Sequence, residues 1–142
     1  MRTLHLVRLV LRTPTYWVFE MFKVHQGGTF LPVELQSPDY VFGEQKIPMV
    51  SASATRAANA AGVHLSLANT SPHQMVTLTV KLAGIAPIAV TGRVLTAAAT
   101  NARNTFAAPD EVRPAPFDGA TLAGGTLEVR LPAKSVVVLA LR

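Results

Sequence analysis

Residues 63–82 read VHLSLANTSPHQMVTLTVKL, and their hydrophobic pattern repeats every two residues on both sides of a polar loop. Apolar side chains stand at alternate positions in residues 63–67 and again in residues 76–82. Because successive side chains of a β-strand point to opposite faces of the sheet, this alternation predicts two strands with one buried face each. Residues 69–72, Asn-Thr-Ser-Pro, form the loop between them. We therefore expect half-buried antiparallel strands here.

More strands are predicted on both sides of this pair. Residues 29–35 and 46–54 contain short β-like segments, and residues 90–95 form a further strand. Gly124-Gly125 is predicted to be the turn of a hairpin that leads into the next strand. Residues 135–141, SVVVLAL, are apolar enough that both faces of the last strand should be covered. The sequence predicts a mainly β protein, an antiparallel β-sandwich of jelly-roll type with one N-terminal helix.

That helix is predicted from its boundary residues. Thr13 is a typical N-cap residue, and Pro14 suits the first helical position, where a missing N–H is tolerated. Gly27-Gly28 should end the helix. Apolar residues cover most of its circumference, so we expect a buried docking helix rather than an exposed aromatic platform for sugars. We divide the chain into an N-terminal segment with this helix, residues 1–28, and a sandwich domain, residues 29–142.

Length, charge and hydropathy argue against three classes of protein: a (β/α)8 barrel, a nucleic-acid-binding protein and a membrane-inserted protein. A (β/α)8 barrel usually needs about 250 residues, and this chain has 142. The formal net charge of +5 could suit an anionic partner, but the 13 Lys and Arg residues are scattered singly without interleaved aromatic residues. We therefore expect no nucleic-acid partner. Pro and Gly interrupt every apolar run before the roughly 18 residues of a membrane span, so we expect no membrane insertion.

The first residues give no clear structural signal. Residues 1–12, MRTLHLVRLVLR, begin like a secretory signal, but Arg8 and Arg12 interrupt the apolar run and no small-residue cleavage site follows. Helix and strand both stay open for this segment. Without a secretory signal, we predict a cytoplasmic protein.

Several segments carry a family resemblance. They are residues 11–26, LRTPTYWVFEMFKVHQ, the loop with Asn101 and Asn104-Thr105-Phe106, and residues 131–139, LPAKSVVVL. Together they resemble the C-terminal part of family 51 glycoside hydrolases, the α-L-arabinofuranosidases. The resemblance covers residues 11–142. It departs from the family at Trp17, where the family more often has His.

The resemblance implies a function. The helix would be the last helix of a catalytic (β/α)8 barrel, and the remainder would be its accessory sandwich. Retaining glycosidases use two carboxyl groups about 5–5.5 Å apart, and in the family both belong to the barrel. We therefore predict no catalytic residue in this chain. It would be the accessory domain of an enzyme that removes terminal α-L-arabinofuranosyl groups from arabinan or arabinoxylan.

Two alternatives stay open. The chain could be a free-standing carbohydrate-binding module that stacks sugars on Tyr16, Trp17 or Tyr40. It could also form a new hydrolase site at an oligomer interface from Asp110, Glu111 and a histidine. An exposed, coplanar aromatic pair would favour the first alternative.

The candidate sugar-binding residues are Asn101, Arg103, Asn104 and Phe106, because amide and guanidinium groups bind hydroxyls and an aromatic ring covers a sugar face. The alternative, which we favour, is that the Asn side chains bond the loop's own backbone and Phe106 fills the core.

No pattern predicts a metal or a cofactor. His5, His25, His64 and His73 show neither i,i+4 spacing nor an HExxH motif, and the chain has no Cys. We predict a homo-oligomer, because an isolated sandwich of this kind would leave strand edges and an apolar face uncovered. Arabinose-containing polysaccharide is the expected carbohydrate partner.

Overall fold

The computed structural model of the chain describes residues 10–59 and 62–142. The expectations for residues 1–9, including the open choice between helix and strand, lie outside this part of the chain. No helix in the described ranges is long and apolar enough to cross a membrane.

One α-helix begins where the sequence predicts it. Helix α1 is Pro14–Phe22, and the Thr13 hydroxyl accepts a hydrogen bond from the Tyr16 backbone N–H at 3.2 Å. The regular helix ends earlier than the predicted Gly27-Gly28, because the chain tightens into a 3-10 helix, Lys23–His25. This tighter turn sets the His25 side chain against the neighbouring sheet.

Strands make up most of the remaining described chain. They are β1 Thr29–Leu31, β2 Asp39–Phe42, β3 Gln45–Pro48, β4 Val50–Arg56, β5 Val63–Asn69, β6 Val76–Lys81, β7 Val90–Leu95, β8 Ala115–Pro116, β9 Ala120–Ala123, β10 Thr126–Leu131 and β11 Ser135–Leu141.

These strands form two main antiparallel sheets and a separate hairpin. The larger sheet has the order β1-β4-β5-β11-β7-β8, the smaller sheet β6-β10-β9, and β2 pairs only with β3. In the larger sheet, β11 lies between β5 and β7, with Leu139 opposite Leu65 and Gly92. The predicted mainly β, antiparallel sandwich is confirmed.

The core lies between the two main sheets. It is built from alternate residues of the facing strands, among them Leu127 and Val129 of β10 and Val137 and Leu139 of β11, all fully buried. Each such side chain contributes about 1.5–3 kcal/mol through removal from water. Buried and exposed side chains alternate along β10: Glu128 and Arg130 are exposed, and the residues on either side of each are buried. This strand therefore has one buried face.

The outer face of the larger sheet is covered by α1. Met21 of the helix packs against Leu95 of β7 and Val138 of β11, and Val112 of the β7–β8 loop completes this second cluster. Because Val137 and Val138 point to opposite faces, β11 is buried on both sides, as predicted. Met21 is the one buried residue of α1, so the helix contacts the sheet through one face. Phe19, on another face, is 74% exposed.

Candidate functional site

The β7–β8 loop holds the sequence-predicted candidate residues and is tied down by one buried amide. The Asn104 side chain donates to the backbone carbonyls of Arg12 at 2.7 Å and Val112 at 2.8 Å, and it accepts from the Val112 N–H at 2.6 Å. Asn104 is 6% exposed. The Asn104 amide therefore links residues 104 and 112 of the loop to each other and to Arg12, which precedes α1.

A cleft of about 470 Å³ opens in this loop. Its lining combines alanine methyl groups with polar side chains. The residues that line it are Ala97, Ala98, Ala99, Asn101, Ala102, Arg103, Thr105 and Glu111.

The structure places the four candidate residues in three environments. Asn101 and Arg103 line the cleft, whereas the Asn104 side chain is committed to backbone hydrogen bonds. Phe106 is 68% exposed and does not line the cleft, so the prediction that it fills the core is wrong. The hydrophobic cluster at this place is completed by Val112 and Ala102 instead.

Thr105 and Glu111 also line the cleft, although no sequence pattern groups them with Asn101 and Arg103 as ligand-binding residues. The loop between β7 and β8 has no periodic pattern, so spacing alone does not bring position 111 back beside position 103. The Asn104–Val112 hydrogen bonds do so in the structure.

The acidic residues of this loop form no evident hydrolytic centre. Asp110 and Glu111 are both exposed, and neither makes a hydrogen bond or ion pair with another described residue. In the described ranges no group of three or more His, Cys, Asp or Glu residues could hold a metal ion.

Two histidines meet on the outer face of the larger sheet. His25 Nδ1 lies 2.7 Å from Thr55 Oγ1 of β4, and Nε2 lies 2.5 Å from Ser66 Oγ of β5. The His64 ring stands edge-on to His25, with 6.3 Å between the ring centroids. Burial lowers the pKa of His25 below its ordinary value of 6.5, and the neighbouring His64 lowers the pKa further. This cluster anchors the 3-10 helix to the sheet.

The aromatic residues of α1 do not form a flat platform. Tyr16 and Trp17 lie 5.2 Å apart with an angle of 73° between their planes. The Arg12 guanidinium lies 5.2 Å from the Trp17 ring and 5.9 Å from the Tyr16 ring. The close ring pairs of the described chain have interplanar angles of 73°, 41° and 84°, so none of them is coplanar, which argues against sugar stacking on these residues.

Two apolar surfaces are exposed. The helix surface consists of Tyr16 and Phe19 on the side of α1 that turns away from the sheet. The hairpin surface consists of Phe42 of β2 and Ile47 of β3, which lie on the same face of the hairpin and are 77% and 48% exposed. Contiguous apolar surfaces of this kind mark contact sites between proteins or domains.

Known proteins match nearly the whole chain. The family described as the α-L-arabinofuranosidase C-terminal domain matches residues 8–135. An intracellular exo-α-L-arabinofuranosidase from Bacteroides ovatus is 41% identical over 132 residues, which are 92% of this chain and 25% of that protein.

Solved structures of family 51 arabinofuranosidases also superpose on this chain. The family 51 arabinofuranosidase from Xanthomonas axonopodis pv. citri superposes with a TM-score of 0.89 at 41% identity, covering 92% of this chain and 26% of that one. A family 51 α-L-arabinofuranosidase from Bifidobacterium longum gives a TM-score of 0.81 at 25% identity, covering 93% of this chain and 26% of its own. The chain thus spans about a quarter of the length of these relatives.

Proposed function

The chain belongs to the α-L-arabinofuranosidase C-terminal domain family, and from this membership we propose that it serves as the accessory β-sandwich of an enzyme that removes terminal α-L-arabinofuranosyl groups from arabinan or arabinoxylan. Hydrolysis would be carried out by a catalytic barrel, which the described residues do not contain. The observation that carries the proposal is the match itself, which covers this chain almost fully but only a quarter of each relative.

The surfaces of α1 support this role. The helix docks on the sandwich through Met21, while Phe19 and Tyr16 expose large apolar side chains on the helix surface. A helix that buries one face against the sandwich and presents a second apolar face suits a position between two domains. We expect the catalytic part of the enzyme to cover that second face.

A complementation experiment tests the proposal. The Bacteroides ovatus relative, shortened by the C-terminal quarter that this chain matches, is co-expressed with a tagged form of this chain. We expect the two chains to co-purify and the mixture to hydrolyse an aryl α-L-arabinofuranoside. Phe19→Asp should abolish co-purification by placing a carboxylate in the apolar contact. Ile88→Asp is the matched control, since Ile88 is 94% exposed and lies outside the helix surface.

Two results would overturn the accessory role. One is the absence of co-purification although both chains are soluble. The other is equal co-purification by the Phe19→Asp variant and the unaltered chain. Circular dichroism of each variant alone establishes that the sandwich is folded, so loss of binding can be assigned to the helix surface.

We also propose that the chain forms a homo-oligomer. The hairpin surface supports this, because β2 and β3 pair only with each other, and exposed apolar side chains on such strands favour contact with another chain. Light scattering should give a mass above 15.1 kDa, and Phe42→Asp should lower that mass. A monodisperse monomer would contradict the proposal.

A cytoplasmic location is proposed as well. It is supported by the Bacteroides ovatus relative, which is described as intracellular. Fractionation of cells that express the tagged chain tests this, and recovery of the chain in the medium would contradict it.

A further inference from the structure

The loop cleft has the chemical lining of a small-molecule site. Its volume of about 470 Å³ falls within the roughly 300–1,000 Å³ of typical ligand sites. Arg103 supplies a planar array of N–H donors, Glu111 supplies carboxylate acceptors, and the Asn101 amide can both donate and accept. The Thr105 hydroxyl accepts from the Ala108 N–H at 3.1 Å and keeps its own hydrogen to donate. The alanine methyl groups of the lining add small apolar contacts.

Three of the four polar side chains that line the cleft are free to bind a ligand. The side chains of Asn101, Arg103 and Glu111 make no hydrogen bond or ion pair with any other described residue. Arg103 and Glu111 carry opposite charges and line the same cleft, yet they do not pair with each other. Their hydrogen-bonding capacity is therefore available to a molecule that enters between them.

The frame of the cleft is preformed. The Asn104 amide bonds to Val112 and Arg12, as described above. Thr105 and Ala108 exchange backbone hydrogen bonds, each at 3.1 Å, and the Ala102 N–H donates to the Ala99 carbonyl at 3.2 Å. A preformed site binds without the entropic cost of ordering its loop.

We propose that this cleft binds one pentose unit, either a terminal arabinofuranosyl group or free arabinose. Arg103 and Asn101 would donate hydrogen bonds to sugar oxygens, Glu111 would accept from hydroxyls, and the alanine methyl groups would contact the sugar's C–H groups. The single positive and negative charges offset each other, so the cleft suits a neutral polyol better than a phosphate or another anion. This inference rests on the proposed function, which supplies arabinose-containing substrates.

The ligand is a single ring because the lining contains no aromatic side chain. Binding modules that hold a polysaccharide chain along its length use aromatic faces as platforms, and here Phe106 lies outside the cleft. Hydroxyl groups at the end of a chain or on a free sugar can be bound by polar side chains alone. The cleft is therefore expected to bind a chain end or the released sugar.

NMR titration of the intact 142-residue chain with L-arabinose and with an α-1,5-linked arabinotriose tests the proposal. We expect concentration-dependent shifts of the Asn101 side-chain amide, the Arg103 Nε–H and the backbone of residues 97–99. Arg103→Ala and Glu111→Gln should each weaken binding about tenfold, since the first removes charged donors and the second replaces a charged acceptor by a neutral one. Arg113→Ala, an exposed residue of the same loop outside the cleft lining, is the control and should leave binding unchanged.

Several outcomes overturn the inference: no shifts with either sugar, shifts that the two cleft variants leave unchanged, or stronger shifts with glycine, whose carboxylate and ammonium would match Arg103 and Glu111 instead. The complementation experiment separates this inference from the accessory role. Co-purification of the unaltered chain, together with absent sugar shifts in that same chain, would refute the cleft alone, whereas sugar binding without co-purification would refute the accessory role alone.

Discussion

At the scale of single residues, Asn104 is the side chain on which the β7–β8 loop depends. Replacement by Ala would leave the Val112 N–H and two carbonyl groups without their partners at a site that is 6% exposed. Unpaired buried polar groups cost about 1–3 kcal/mol each, and water reaches some of them after relaxation. We expect Asn104→Ala to lower the free energy of unfolding by about 2–4 kcal/mol, measured by urea titration.

The neighbouring Asn101 provides a matched control for that change. It is the same residue type in the same loop, but it is exposed and its side chain makes no hydrogen bond to a described residue. Asn101→Ala should change the free energy of unfolding by less than about 0.5 kcal/mol. Equal effects of the two substitutions would show that the hydrogen bonds of Asn104 do not hold the loop.

The candidate site could be predicted only in part from these residues. Asn101 and Arg103 follow from residue type, and an Asn that bonds backbone groups in its own loop is expected from its short amide side chain. The partner Arg12, however, is 92 residues away in the sequence from Asn104. Glu111 reaches the cleft because the Asn104–Val112 hydrogen bonds fold the loop back on itself, and no local sequence pattern predicts that fold.

At the scale of elements, α1 is stabilised by docking rather than by its own sequence. With nine residues it is too short to persist in isolation. Met21, at 1% exposure, is its one buried residue, and Phe19 on the same helix is 74% exposed. Met21→Ala should cost about 2–5 kcal/mol, whereas Phe19→Ala should cost less than about 1 kcal/mol.

Thermal unfolding followed by circular dichroism checks this difference. The near-ultraviolet signal of Trp17, the single Trp of the chain and a neighbour of Met21 in the second cluster, reports on helix docking. A Met21→Ala chain that keeps both its midpoint and this signal would contradict the proposed dependence of α1 on Met21.

His25 in the 3-10 helix should make the free energy of unfolding depend on pH. The pKa of His25 is lowered in the folded chain, so in the range between that pKa and 6.5 the unfolded chain binds more protons than the folded one. The His25 contribution is fully present above about pH 6.5 and is lost as the pH falls through the folded-state value. Urea titrations across this range should show the decrease.

Two variants assign that dependence to His25. His25→Asn should flatten the pH dependence, because the titrating ring is removed. His73→Asn should leave the dependence as it is, since His73 is exposed and lies in another loop. An unchanged pH profile in the His25→Asn chain would contradict the assignment.

The elements with regular hydrophobic patterns could be predicted, and those fixed by tertiary contacts could not. Strands β5, β6 and β11 follow from alternating or continuous apolar residues, and the turn at Gly124-Gly125 is confirmed, with φ of 54° and 78°. Strand β8 is two residues long and includes Pro116, so only its pairing with β7 defines it. The early end of α1 likewise depends on the hydrogen bonds of His25 across the sheet.

At the scale of the whole molecule, two apolar surfaces have different expected partners. The helix surface lies on α1, the element that the family resemblance assigns to the barrel, whereas the hairpin surface lies on strands that join neither main sheet. A heterologous partner at the first and a second copy at the second are compatible with each other. Phe19→Asp should therefore leave self-association intact, and Phe42→Asp should leave complementation intact.

Catalysis is the last property to test at this scale. The purified chain alone should release no chromophore from an aryl α-L-arabinofuranoside, because in the proposed function the reacting carboxyl groups belong to the catalytic barrel, and Asp110 and Glu111 are exposed on a loop. The mixture with the shortened Bacteroides ovatus relative should be active. Asp110→Asn combined with Glu111→Gln should leave the turnover number of that mixture within about twofold, since an exposed loop carboxylate outside the reacting groups supplies little transition-state stabilisation. Turnover by the chain alone that the double variant abolishes would instead establish a hydrolase site in this loop, and the accessory role would have to be abandoned.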